Sequence, residues 1–252
     1  MTEKKKTSEK FEVLTPQGYE YGDKPQKMKF TKRTSCVRCG TCCRTNPPTL
    51  LKPDMALLVD GSIRPENLLV IRDGERVASQ AEKELYEAPF ELIMVRGRDG
   101  SAVCSFLSGE NVCGIYENRP AQCRAYTCFG PQATVTGLEA NRLVRRDVFA
   151  GAPVILEFVA RHDEKCSYRA LGEALMKVAG GDESALETVF DMLQYDTEAR
   201  PFIMEKLGLP KDLLNLVFGR PLTEAIRLFG YQIDREGNDY IIRPLEAKEE
   251  RT

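Results

Sequence analysis

Cys36-Val37-Arg38-Cys39-Gly40-Thr41-Cys42-Cys43 places four thiols within eight residues, in the pattern Cys-x2-Cys-x2-Cys-Cys. Thiols at this spacing can converge on one centre, and Gly40 lets the backbone approach a metal or an inorganic sulfide closely. Plain buried thiols rarely crowd in this way, so metal ligation is the working reading and a reactive dithiol is the alternative. Bacterial ferredoxins use a related loop to hold three irons of a [4Fe–4S] cluster, with the fourth ligand coming from a distance. Structural zinc usually draws on two separated Cys-x2-Cys knuckles, so the loop favours an iron–sulfur cluster, with Zn as the alternative. Cys43 is the extra thiol. Its side chain is expected to point away from that of Cys42, which would let it serve a second site.

Outward from the loop, Cys104, Cys113, Cys123 and Cys128 follow with eight, nine and four residues between them. These spacings say little alone, but four thiols in the loop and four here make eight, enough for two four-cysteine sites or for one site and spare thiols. Cys166 is the ninth cysteine and has no close partner in sequence. A chain of 252 residues can bury a sizeable core and does not depend on disulfides for stability. Its N-terminal Met1-Thr2-Glu3-Lys4-Lys5-Lys6 is followed by no apolar run of the secretory type, and no apolar stretch is long enough to span a bilayer. A cytoplasmic, reducing location is expected, where clustered cysteines read as metal ligands or redox thiols.

The loop combines with Cys104-Ser105-Phe106-Leu107, with Cys113-Gly114-Ile115-Tyr116-Glu117-Asn118-Arg119-Pro120 and with Cys123-Arg124-Ala125-Tyr126. In that order these elements resemble the YkgJ-like, CxxCxxCC cysteine-cluster family over roughly residues 30–130. The resemblance implies a zinc- or iron-chelating domain with about eight cysteines and Cys36, Cys39, Cys42, Cys43, Cys104, Cys113, Cys123 and Cys128 as its metal ligands. The sequence departs from the family pattern at Thr127-Cys128, which leaves open whether Cys128 or Cys166 is the eighth ligand. Flagellin lysine methylases are similar in their cysteine cluster, so a methyltransferase-like enzyme stands as a third functional class.

The organisation around the cysteines reads as α+β. Residues 1–30 mix Lys and Glu with Pro16, Gly18, Gly22 and Pro25 and suggest a flexible arm. Residues 31–167 are expected to form the cysteine-cluster domain, with a short helix within 50–59 and a β-meander of strands at 90–96, 102–107 and 112–116. Cysteine ends at 166, and residues 168–252 read as a helical region. One face there carries Leu171, Leu175 and Val178. Asp182 is a candidate cap for a helix with Leu186, Val189, Phe190 and Leu193, and Leu222, Ile226 and Phe229 form another face. A terminal hairpin pairs 231–234 with 240–243 and turns through 235–238.

Lys24, Lys27, Lys29, Lys32, Arg33, Arg38, Arg44 and Lys52 lie in a stretch with no Asp or Glu from Lys24 through Pro53. Phe30 alone is interleaved with them and makes no aromatic platform, so they read as balance for thiolate charge and not as a nucleic-acid surface. Arg119 and Arg124 fit the same role, or pair with a carboxylate to fix their loop. His162 is the single histidine and, in Arg161-His162-Asp163-Glu164-Lys165, reads as a surface residue. Phosphate loops, Gly-x-Ser-x-Gly and His-Glu-x-x-His are absent from the sequence. The expected function is a metal-binding accessory protein that transfers electrons to, or supports the metal centre of, a partner enzyme docked on the C-terminal helices. A structural zinc module is the alternative. No nucleic acid or membrane is expected as a partner.

Overall fold

Leu68-Leu69-Val70-Ile71 and Leu92-Ile93-Met94-Val95 are short apolar runs of the kind that pair inside a core. The structure is a computed structural model that describes residues 36–45, 47–78, 85–126, 138–236 and 239–245, so Cys128 and the expected arm at 1–30 lie outside the described residues. Its first strands are β1 (Leu68–Ile71), β2 (Arg76–Ala78), β3 (Leu85–Glu87) and β4 (Leu92–Val95). β1 and β4 pair antiparallel with Leu68 opposite Val95 and Val70 opposite Ile93. These four side chains are buried, which fixes the register, since a slip of one residue would turn them all outward.

Further backbone segments add to the edge of β4. Leu50 donates its N–H to Ile93 O at 2.8 Å, and Val95 donates to Pro48 O at 2.9 Å. Leu143 donates in turn to Leu50 O at 3.0 Å. Pro47-Pro48, directly after the cysteine loop, therefore ties that loop to the sheet.

The expected meander is corrected in two ways. Its first strand forms as β4 but takes β1, which the sequence reading did not assign, as its ladder partner. The segments at 102–107 and 112–116 make isolated bridges instead of full strands, Gly97 with Cys104 and Leu107 with Cys113. Arg98 and Asn111 mark why these turns are so tight: Arg98 donates to Val103 O at 2.7 Å, and Asn111 sits at φ 61°. Too few residues remain between turns for a ladder to grow.

The helices are α1 (Thr41–Thr45), α2 (Met55–Val59), α3 (Ala121–Ala125), α4 (Leu138–Asn141), α5 (Arg145–Val148), α6 (Pro153–Lys165), α7 (Tyr168–Ala179), α8 (Ala185–Leu207), α9 (Leu214–Val217) and α10 (Leu222–Ala225). α2 is the short helix expected within 50–59. α7 starts where Ser167 Oγ accepts from the Ala170 N–H, and it buries Leu171, Ala174 and Leu175 on one face. Gly172 on that face leaves room for Phe229, whose ring carbon would stand 2.9 Å from an added Cβ. Before α8, Asp182 accepts from Ser184, two residues short of the helix, so it orders the entry turn without capping the helix directly.

β5 (Tyr231–Glu236) and β6 (Asp239–Pro244) form the terminal hairpin. Pairing continues as far as Glu236 opposite Asp239, so Arg235 and Glu236 belong to the ladder and not to the turn. The architecture is α+β as the sequence implies.

Two apolar clusters organise the interior. The first joins Leu50, Leu57, Leu68, Val70, Ile93 and Val95 to Leu143, Val159, Ile203 and the α9 run Leu214, Leu216, Val217 with Phe218. The second packs Cys166, Tyr168, Leu171 and Leu175 against Val189, Leu193, Leu222 and Ile226. Residues on both sides of position 167 thus share the first cluster.

Candidate metal centre

The loop at 36–43 is built by two left-handed residues, Arg38 at φ 57° and Gly40 at φ 76°. A side chain at position 40 would run into Arg44 and Asn111, so glycine is required both for the dihedral and for the close approach. Arg38 donates its N–H to Cys36 Sγ at 3.4 Å, and Arg44 donates to Gly40 O at 3.0 Å to start α1.

Cys42 and Cys43 follow on α1 with their Sγ atoms 3.9 Å apart. The expected divergence of these two side chains is therefore corrected. Neighbours on a helical turn differ by about 100°, whereas the alternation of an extended strand would have set them on opposite faces.

Backbone bonds bring the second group to the first. Cys104 donates its N–H to Cys43 O at 2.7 Å, and the bridge between Leu107 and Cys113 sets Cys113 beside that segment. Cys123 comes from α3, whose position depends on one side chain reaching in from another segment and on one of its own that reaches out. The buried carboxylate of Asp54 accepts from Ala121 N at 2.8 Å and from Leu51 N at 2.9 Å. Thr49 donates its N–H to Gln122 Oε1 at 2.6 Å. Arg124 stands 3.9 Å from Asp54, so the expected pairing of this arginine with a carboxylate is found. Asp54 and Gln122 were not singled out from sequence. Their signal was weak, since Asp54 follows Pro53 as an ordinary helix-start acid and only its burial shows its role.

Electrostatics registers the convergence. Burial pushes the Cys43 thiol up to about 12, reinforced by Cys42, Cys104 and Cys113. Burial likewise pushes Cys123 up to about 12, with Cys104, Cys43, Cys113 and Cys42 adding to it. Cys104 is raised by burial first and then by Cys113. Five thiols from four segments therefore act on one another. Cys36 and Cys39 are exposed at the rim, and the Cys39 thiol lies 3.5 Å from Thr41 Oγ1.

Among the described residues, no three Cys, His, Asp or Glu side chains stand close enough to hold a metal ion as placed. The donor set nevertheless fits one chemically: it is all sulfur, and soft thiolates select zinc or iron–sulfur clusters. A positive ion would also reverse the thiol shifts, since coordination deprotonates the ligand.

Cys166 stands apart. It is fully buried in the second apolar cluster, its Sγ donates to Met192 O at 3.6 Å, and its raised pKa stems from burial and from Asp196. His162 corrects the surface reading. It is 1% exposed, stacks on Phe218 at 4.3 Å between centroids, and has Nε2 2.8 Å from Asp196 Oδ1. The spacing Val159, His162, Cys166 carried the signal, because steps of three and four put the imidazole on the apolar face of α6.

The family model named CxxCxxCC and described as a putative zinc- or iron-chelating domain matches residues 35–147. No curated protein and no solved structure matches the chain. Among the described residues, no helix is long and apolar enough to cross a membrane.

Proposed function

Taking the CxxCxxCC zinc- or iron-chelating domain at residues 35–147 as the premise, we propose that this protein holds an iron–sulfur centre in that domain and serves a partner enzyme as an electron carrier or as support for its metal centre. The observation that carries the reading is the meeting of Cys42, Cys43, Cys104, Cys113 and Cys123 beside an exposed Cys-x2-Cys loop. Cys36 and Cys39 complete the ligand supply from the rim. A bound cluster would supply one-electron chemistry at a potential set by hydrogen bonds to sulfur and by solvent exposure.

The chain's own residues prepare the site. The Arg38 N–H bonds Cys36 Sγ, the charge of Arg98 favours the Cys104 thiolate, and the sheet anchor at Pro48 keeps the loop in reach of Cys104. The partner is met at the C-terminal helices, where Met176 and Phe202 are exposed.

Anaerobic purification followed by iron, acid-labile sulfide and zinc analysis tests the reading. A brown protein with iron and sulfide in equal amounts is the expected result. A colourless protein with stoichiometric zinc would replace the cluster by a structural zinc module, and a protein free of both metals would end the proposal.

A further inference from the structure

Tyr116 lies three residues beyond Cys113, half-buried, and two guanidinium groups approach its ring. Arg38 Cζ is 3.8 Å from the ring centroid and Arg119 Cζ is 3.7 Å from it. Two cations cannot share one face at these distances, so the ring is held between them. Arg119 also donates Nε–H to Tyr116 O at 2.7 Å, which fixes the lower jaw to the backbone of the ring it covers. Arg38 is the upper jaw, and its second neighbour is Glu117 at 3.9 Å.

The three residues belong to different parts of the centre. Arg38 sits between Cys36 and Cys39, Tyr116 follows Cys113, and Arg119 leads into α3, where Arg124 donates to Arg119 O one residue after Cys123. Arg38 also holds a left-handed φ of 57°, a conformation a non-glycine residue keeps only when its surroundings impose it. Among the contacts of the exposed Arg38 side chain, the stack on Tyr116 and the distant Glu117 are what can impose it.

We propose that Tyr116 is the positioning residue of the metal centre: its ring, held between Arg38 and Arg119, clamps the Cys36–Cys39 half of the loop onto the segments carrying Cys113 and Cys123. The clamp rests on the metal-centre reading for its purpose, but it is present in the protein itself.

The test uses the full chain and three variants, Tyr116→Leu, Tyr116→Phe and Arg38→Ala. Hydrogen exchange of the metal-free protein reads the Arg38 and Arg44 amides. Cobalt(II) titration, followed in the thiolate charge-transfer band, reads affinity. Tyr116→Leu and Arg38→Ala should speed exchange of the amide at position 38 about tenfold and weaken cobalt binding by about 10- to 100-fold, the usual effect of losing a group that orients ligands. Tyr116→Phe keeps the ring and should behave as wild type.

The proposal is overturned if Tyr116→Leu matches wild type in both readouts, or if Tyr116→Phe fails as Tyr116→Leu does. Arg38→Ala alters an exposed side chain and decides the matter should Tyr116→Leu not fold, with wild-type behaviour counting against the clamp. A wild-type protein that takes up no cobalt would sink the metal reading alone, and the exchange rates would then judge the clamp by themselves.

Discussion

At the scale of single residues, the thiols divide by environment and not by spacing. Cys166 and Cys123 are both pushed up to about 12 by burial, yet the neighbours that add to the shift are other thiols for Cys123 and Asp196 for Cys166. Cys166→Ser should therefore keep full metal content while losing about 1 kcal/mol of stability, the typical worth of a small change at a buried site. Metal analysis beside urea unfolding would check this, and loss of a whole site would reinstate Cys166 as a ligand. His162 yields a second expectation. Burial holds its pKa below that of a free histidine, although the hydrogen bond it donates to Asp196 and the Asp196 charge pull it back up. Arg72 and Arg200 also face it and lower it. With the folded value depressed, the unfolded chain binds the extra proton first, so stability is full above about pH 6.5 and declines as pH falls below it. Asp196 is itself lowered, so its own loss belongs to a more acid window, below the usual carboxylate range. Urea midpoints of metal-free protein from pH 5 to 8 should slope down toward acid, and His162→Gln should flatten that slope.

At the scale of elements, the short pieces of the cysteine region are held by side chains reaching between segments. α1, α2 and α3 have five residues each, well short of the length at which a helix is stable alone. Asp54 compensates by tying α3 to the start of the 52–54 turn through two backbone N–H groups, while its carboxylate has no exposed surface. Asp54→Ala leaves both donors without their acceptor, at about 1–3 kcal/mol each. A fall in the thermal midpoint together with reduced metal content is the expected outcome, since α3 carries Cys123. A variant with normal metal content and an unchanged midpoint would show that α3 is placed by other contacts. The pattern of Cys-x2-Cys-x2-Cys-Cys and the terminal hairpin were legible in the sequence because both depend on neighbours in the chain. The β1 to β4 ladder was not, because short apolar runs fit a strand or a buried helix equally well, and only the partner strand decides.

At the scale of the whole molecule, the helices beyond position 167 complete the interior that the cysteine region begins. Ile203, Leu214, Leu216, Val217 and Phe218 bury against Leu50, Leu68, Val70 and Ile93. Arg145 adds a polar tie, 3% exposed, bonding Glu91 and Asp163 at 2.6 Å each and Val217 O at 2.8 Å. Truncation after Ser167 should therefore leave an insoluble or unfolded product and lose metal binding with it. A soluble, metal-loaded fragment would show instead that the cysteine region folds without the helices. Partner contact is better probed by Met176→Glu and Phe202→Lys in the full chain, because both side chains are exposed and leave the core intact. The sequence by itself determined the α+β class and pointed to a metal-chelating domain, since thiol spacing and amphipathic period are local properties of the chain. Only the tertiary structure decided that Cys42 and Cys43 face the same group, that Cys166 and His162 are buried away from it, and that one apolar cluster runs past position 167. Each of those outcomes depends on which distant segments exclude water together, and no local pattern records that.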